Sequence, residues 1–392
     1  MSKIQILKRI IFALFITGLS LVVLAQEISH ESIVINIEVP VRVFKSGQFI
    51  DDLTINDFIV HEDGKLQQIE AVYLIKKTNI QREEAEIPEK ETRKKFSPDV
   101  SRNFILLFEI MDYLPKIDEA LDYFFEQVIS PGDTLVVITP VKSYNFRKDA
   151  LNALPKKEIA ERLKEIIRRD INLGSGEYKG LIRDYKNLYR SEFEGDIKLY
   201  LMMEKIRELK NLRYLPEEKV TYFADYLKSM TGQKFAFFFY QKELIPFPNI
   251  PFESKEYLEF QSELASFMSF DVKKIKHAFS DSSISLHFLY VTKTQITQGD
   301  IESMELSVME MQDISSDIFN TFNEIAKATG GLTESSINVA SLLKKAADAS
   351  ENYYLLYYSP KDYKRDGKFR KIEVKVKNKN YRITHRAGYF AN

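Results

Sequence analysis

The hydrophobic positions of this chain change their spacing from one stretch to the next, and that spacing predicts its elements. In "IVINIEVPVRVF", Val34, Ile35, Ile37, Val39, Val41 and Val43 are interleaved with polar partners, the two-residue period of half-buried strands. "KSGQ" then turns the chain, and "DFIVHEDGKLQQIEAVYLI" places Asp63-Gly64 between two further runs. That dipeptide predicts a tight hairpin, because both residues accept positive φ. Residues 28–78 therefore read as a small antiparallel β unit whose exposed edges call for more strands. Residues 79–100 are dense in charge and broken by Pro88 and Pro98, the composition of a linker.

Beyond residue 100 the runs become continuous. "FILLF" and "TLVVIT" have the unbroken apolar character of parallel strands covered on both faces. Between them Ile117, Leu121, Phe124, Phe125 and Val128 fall on one face of a helix. "KFAFFFY" and "SISLHFLYV" follow, each preceded by helical sequence, and the alternation predicts an open α/β sheet with helices on both faces. Residues 141–233 and 246–282 exceed what such connections need and read as helical insertions, suited to a lid or a partner surface. After residue 351 the two-residue period returns in "NYYLLYYSP", "FRKIEVKVKN" and "YRITHRAGYF". β sequence at both ends predicts one sandwich assembled from N-terminal and C-terminal strands.

Composition narrows the function. The 392 residues carry a formal charge of -1 and are 44% hydrophobic, a globular balance with no basic footprint for nucleic acid. Cysteine is absent, which excludes disulfides, thiolate metal sites and thiol catalysis. Lys3, Lys8 and Arg9 precede an apolar run from Ile10 to Ala25, and Val23-Leu24-Ala25 supplies the small residues of a cleavage site before Gln26. Residues 1–25 thus read as a secretory signal peptide, with a retained membrane anchor as the other reading. Cleavage predicts an exported protein, periplasmic or secreted; membrane contact is expected only through this segment if it stays uncleaved.

The motifs at the two ends carry a resemblance. "DDLTINDFIVHEDGKLQQIEAV" near the start, with "IAKATGG", "YYLLYYSP", "DGKFRKIEVKV" and "HRAGYF" near the end, resembles the bacterial von Willebrand factor A-related domain proteins. The resemblance implies a von Willebrand A-type doubly wound, mostly parallel sheet over residues 101–350, with a small antiparallel β-sandwich completed by residues 352–392. It makes "FILLF" the first and central strand, "TLVVIT" the second, "FAFFFY" the fourth, "SLHFLYV" the fifth and "GLTES" the last. It also implies a metal-ion-dependent adhesion site at the strand ends, where an acid, hydroxyls from a D-x-S-x-S sequence, a Thr and an Asp hold magnesium.

The matching positions here are Glu109, Met111 and Tyr113. Magnesium takes hard oxygen ligands, so Met111 is the wrong donor, and the Tyr113 hydroxyl sits too far from its backbone to replace a serine. Glu109 remains, with Asp112 one residue out of register, and Ser143 and Ser175 as hydroxyls on other loops. Lys242 stands near the expected acid of the fourth strand, which suggests a Glu109–Lys242 pair in place of the ion. "GSGEYKG" lacks the Gly-Lys-Ser/Thr ending of a phosphate loop and reads as a plain loop, while "ATGG" reads as a helix stop. No nucleophile elbow, zinc-binding H-E-x-x-H or dinucleotide fingerprint is present. The expectation is a non-enzymatic interaction or adhesion-type protein with a protein partner, a degenerate metal site and no cofactor. The alternatives are cation-dependent adhesion, with Mg2+ or Mn2+ held by a rearranged site using Glu109 and Asp112, and a hydrolase with an acidic pair.

Overall fold

The computed structural model describes residues 35–85, 98–192, 195–213, 216–248, 250, 254–264, 271–292, 311–360 and 362–392. The leader read over residues 1–25 lies outside them. Residues 36–392 form one compact unit. In chain order its elements begin with β1 (Ile37–Lys45), β2 (Gln48–Phe49), β3 (Phe58–Glu62), β4 (Lys65–Gln67), β5 (Ile69–Lys76) and β6 (Asn79–Ala85). Next come β7 (Arg102–Glu109), α1 (Lys116–Tyr123), β8 (Thr134–Ile138), β9 (Ser143–Phe146), α2 (Lys148–Asn152), α3 (Lys156–Gly174), α4 (Gly176–Arg190), α5 (Gly195–Arg213) and α6 (Glu217–Ser229). Then follow β10 (Gln233–Gln241), β11 (Leu244–Pro246), α7 (Lys255–Leu264), α8 (Val272–Asp281), β12 (Ile284–Val291), β13 (Met311–Asp313) and α9 (Ser316–Ala328). The chain closes with β14 (Thr333–Ser336), α10 (Val339–Glu351), β15 (Asn352–Tyr358), β16 (Phe369–Val376), β17 (Arg382–His385) and β18 (Gly388–Phe390).

The architecture is mixed α/β. Its main sheet has the order β14-β12-β10-β7-β8-β9, parallel except for the antiparallel edge strand β9. The continuous apolar runs are its inner strands, as their lack of alternation requires: β10 and β12 are buried along their whole length. One face packs against α1, α3 and α10 through Phe104, Leu106, Phe124, Ile167 and Leu343. The opposite face packs against α6, α8 and α9 through Ile105, Phe238, Phe279, Phe288 and Phe322. Each such side chain contributes about 1.5–3 kcal/mol by leaving water. Gly331 stands just before β14 because a Cβ there would lie 1.8 Å from the carbonyl oxygen of Leu286, so "ATGG" admits a close backbone approach besides ending a helix.

The first and last described strands meet in two antiparallel sheets. One has the order β17-β1-β15-β5-β6 with β2 beside β1; the other is β18-β16-β3-β4. The Asp63-Gly64 hairpin joins β3 to β4 with φ of 47° and 81°, both positive as an I′ turn needs. Residues 79–85, expected in the linker, instead form β6, and residues 86–97 lie outside the described residues. The charges of "NIQREEA" suit an edge strand, where they discourage further pairing. The first sheet shares a core with the α/β layer through Tyr73, Tyr353 and Tyr357. Arg42, only 1% exposed, crosses that junction to the Gly330 carbonyl at 3.3 Å and Ser285 Oγ at 3.1 Å.

The long connections divide differently from the sequence expectation. Within residues 141–233, α3 and α6 are ordinary face-covering helices, and so is α8 within 246–282. The additional structure is a cap of α4, α5, α7 and the ribbon β11·β13. It has its own core of Tyr185, Met202, Ile206, Ile245, Phe260 and Ile314.

Candidate functional site

The parallel register pairs Glu109, the last residue of β7, with Tyr240 of β10, so the chain after β7 passes over the end of its neighbour. At that point lies Gln241, 3% exposed. Its Oε1 accepts from the backbone N–H groups of Met111 at 2.9 Å and Asp112 at 3.0 Å. Its Nε2 donates to Asp112 Oδ2 at 3.3 Å. An amide performs both tasks at once, whereas a carboxylate has no proton to give Asp112 at neutral pH. Asp112 Oδ1 meets Lys179 Nζ of α4 at 3.2 Å. Glu109 is exposed at the strand end, while Met111 packs against the cap core.

Tyr113 turns toward α1 and α3. Its hydroxyl donates to Asp118 Oδ1, and Arg168 Nη2 donates to Asp118 Oδ2 at 3.0 Å. The Arg168 guanidinium also lies 4.8 Å from the Tyr113 ring centroid, a cation–π contact. Burial, and then the neighbouring Asp118 carboxylate, push the Tyr113 hydroxyl above its ordinary pKa and keep it a donor. A cleft of about 410 Å³ opens here, lined by Asp112, Tyr113, Pro115, Asp118, Arg168, Asn172 and Lys179.

Lys242 pairs with Asp313 at 3.3 Å instead of with Glu109, because Gln241 and not Lys242 faces the β7 loop. Next to it Glu243, 4% exposed, accepts from the hydroxyls of Tyr178 in α4 and Tyr240 in β10. Its backbone N–H donates to Ser315 Oγ at 3.1 Å, and Ser315 Oγ bonds in turn to Tyr290 OH at 2.8 Å. Burial, outweighing the Ser315 hydrogen bond, raises the Tyr290 hydroxyl to about 12. This buried network fastens the cap to the strand ends.

The fallback hydroxyls stand apart. Ser143 is exposed on β9. Ser175 is 2% exposed between α3 and α4, and its Oγ meets no hydrogen-bond partner among the described residues. "GSGEYKG" is thus the junction of two helices and not a plain loop; a Cβ on Gly174 would lie 2.4 Å from Pro140 Cβ. Thr139 donates to Asp170 Oδ2 at 2.9 Å and Tyr144 donates to the same oxygen at 2.6 Å. Burial alone would raise Asp170, but these hydroxyls and Arg169 hold it below the usual carboxylate range. Among the described residues no three His, Cys, Asp or Glu side chains converge as a metal site would require. Sequence reasoning missed Gln241, Lys179 and Asp170. Gln241 could have been suspected as the polar residue that ends the apolar run "KFAFFFY".

No family model matches the chain, and no curated protein matches it. Among solved structures, the human COPII-coat protein Sec24c is similar at a TM-score of 0.30 and 7% identity, over 75% of this chain and 44% of that one. The chain therefore spans less than half the length of that neighbour, and a likeness at this level carries no argument about fold or function.

Proposed function

We propose that this is an exported, non-enzymatic protein-interaction protein, built on a von Willebrand A-type domain whose metal site has been replaced by bonds within the protein. The strand order supports the fold reading: β7, β8 and β9 run outward on one side, β10, β12 and β14 on the other, with the third strand antiparallel. One observation carries the functional reading. Gln241 and Lys179 together engage both oxygens of Asp112, and Gln241 also binds the loop backbone where an ion's ligands would be organised. A lysine ammonium supplies the positive charge that a cation would bring, and among the described residues no three acids or histidines converge there as a hard-oxygen shell would need. In this reading the protein takes no cofactor and engages a protein partner.

The test is calorimetric titration of the purified chain with Mg2+ and with Mn2+, paired with thermal unfolding in EDTA and in each metal. No binding heat and an unchanged midpoint are expected. Tight binding, with a shift abolished by Glu109→Gln or Asp112→Asn, would establish cation-dependent adhesion instead. A pull-down from a cell envelope fraction, with and without EDTA, should recover the same partner in both.

A further inference from the structure

We infer that the outer face of the sheet β18-β16-β3-β4 docks on an anionic lipid bilayer, through lysines carried by β16 and by the segments at its two ends. The inference is independent of the strand-end site and goes beyond the interaction reading above. The near-zero charge of the whole chain conceals a local excess: residues 362–382 hold nine lysines and arginines against three acids. The strand pleat sorts them. Ile372, Val374 and Val376 are buried on the inner face, where Phe58 of β3, opposite Val376, packs on Tyr354 of β15. Lys371 and Lys375, with Lys377 just past the strand end, therefore stand exposed on the outer face. Lys364, Arg365 and Lys368 are exposed in the approach to β16, and Lys379 and Arg382 beyond it.

The acids of this region are already engaged. Asp362 pairs with Lys65 at 3.4 Å, Asp366 with Arg370 at 2.7 Å and Glu373 with Lys375 at 3.0 Å. Asp57, whose carbonyl accepts from the Lys377 N–H, turns its carboxylate to Thr54 at 2.8 Å. Lys368, Lys371, Lys377 and Lys379 make no side-chain ion pair among the described residues, so their charge faces solvent uncompensated. Six of the nine cations are lysines, compact charges on flexible stems that spread over a layer of headgroups without the fork geometry that one specific anion rewards. The register adds apolar surface to the same face. Ile59 lies opposite Lys375, and Leu66 of β4, 67% exposed, lies opposite His61, itself opposite Glu373. Lysines around an exposed leucine suit the headgroup boundary, where the leucine meets the acyl region and the ammonium groups stay with the phosphates. A single-stranded nucleic acid would call for rings to stack on, and among the described residues no exposed ring stands on this face.

The experiment is co-sedimentation of the purified full chain, in EDTA, with vesicles of phosphatidylcholine alone or with about one third phosphatidylglycerol. An apolar leader would insert into both vesicles alike, so the readout is the difference between them. A lysine near an anionic surface is worth about fivefold in partitioning, so binding should be about tenfold or more tighter on the anionic vesicles. That preference should fall about tenfold or more as NaCl rises from about 0.05 to about 0.5 M. Lys371→Gln with Lys377→Gln should weaken it about tenfold or more, and Lys368→Gln with Lys379→Gln should do the same, with the unfolding midpoint nearly unchanged because these side chains are exposed. Lys371→Arg with Lys377→Arg should retain it, and Leu66→Ser should weaken binding severalfold with the salt dependence kept. The proposal is overturned if neither vesicle binds, if both bind equally, if both glutamine pairs bind like wild type, or if the arginine pair loses binding. It is also overturned if heparin or polyglutamate binds at the same salt while the anionic vesicles do not.

Discussion

Replacing Gln241 by alanine tests the arrangement at the strand ends directly. The change removes the acceptor of two backbone N–H groups, at 2.9 and 3.0 Å, and the donor to Asp112 at 3.3 Å. Each hydrogen bond is worth about 1 kcal/mol, and because the loop is only partly buried, water replaces some of what is lost. The expected cost is therefore about 2–3 kcal/mol in urea unfolding, with faster amide exchange at Met111 and Asp112. Gln241→Glu separates the two roles of the side chain. It retains the acceptor but sets a second carboxylate against Asp112, which raises the pKa of the pair in the folded state above its unfolded value. A carboxylate raised by folding binds its proton more readily in the native state, so the penalty is full near neutral pH and declines on acidification. The glutamate variant should thus gain on wild type as pH falls from about 7 to about 5. A cost for the alanine variant below about 0.5 kcal/mol, with unchanged exchange at both amides, would refute the clamp.

Other perturbations probe the body of the fold. Asp133→Ala leaves Arg102, 1% exposed and joined to that carboxylate at 2.6 Å, as an uncompensated buried charge; it should cost about 3–5 kcal/mol in chemical unfolding, with part recovered on adding Arg102→Met. Gly331→Ala drives a Cβ against the Leu286 carbonyl and should cost about 3 kcal/mol, whereas Gly180→Ala, in open space within α4, should gain about 0.5–1 kcal/mol. Burial holds the His287 imidazole well below its ordinary pKa, with Nδ1 accepting from Leu332 N–H at 3.3 Å. Below about pH 6.5 the unfolded chain takes up a proton that the folded one refuses, so stability falls on acidification by up to about 1.4 kcal/mol per pH unit from this residue. His287→Gln should flatten that slope in a pH series of unfolding curves.

The strands were legible where their burial was simple. "FILLF", "TLVVIT", "KFAFFFY" and "SISLHFLYV" are apolar on both faces because both faces are covered, and Asp63-Gly64 announces its turn by backbone preference alone. The cap was not legible as a unit. Helix α5 buries Leu199, Met202 and Ile206 yet exposes Ile197 and Tyr200, so it shows no clean stripe, and its partners Ile245 and Ile314 are remote in sequence. At the candidate site Met111 and Tyr113 already argued against a magnesium shell. That Gln241 organises the loop was hidden, because an amide's partners depend on which backbone passes over it. Lys242, one residue further along, pairs with Asp313.

The sheet at the N-terminal end has a consequence for synthesis. Val41 of β1 faces Tyr354 on one side and His385 on the other, so β1 is an inner strand of a layer whose neighbours β15 and β17 come from far later in the chain. Apart from its short local pairing with β2, β1 would keep its edges open in a nascent chain until β15 and β17 are made, and such remote pairings close slowly. The molecule behaves as a belt whose buckle is cast at one end and whose tongue is cast at the other. Until then an open β1 edge is a template for pairing with a neighbouring chain.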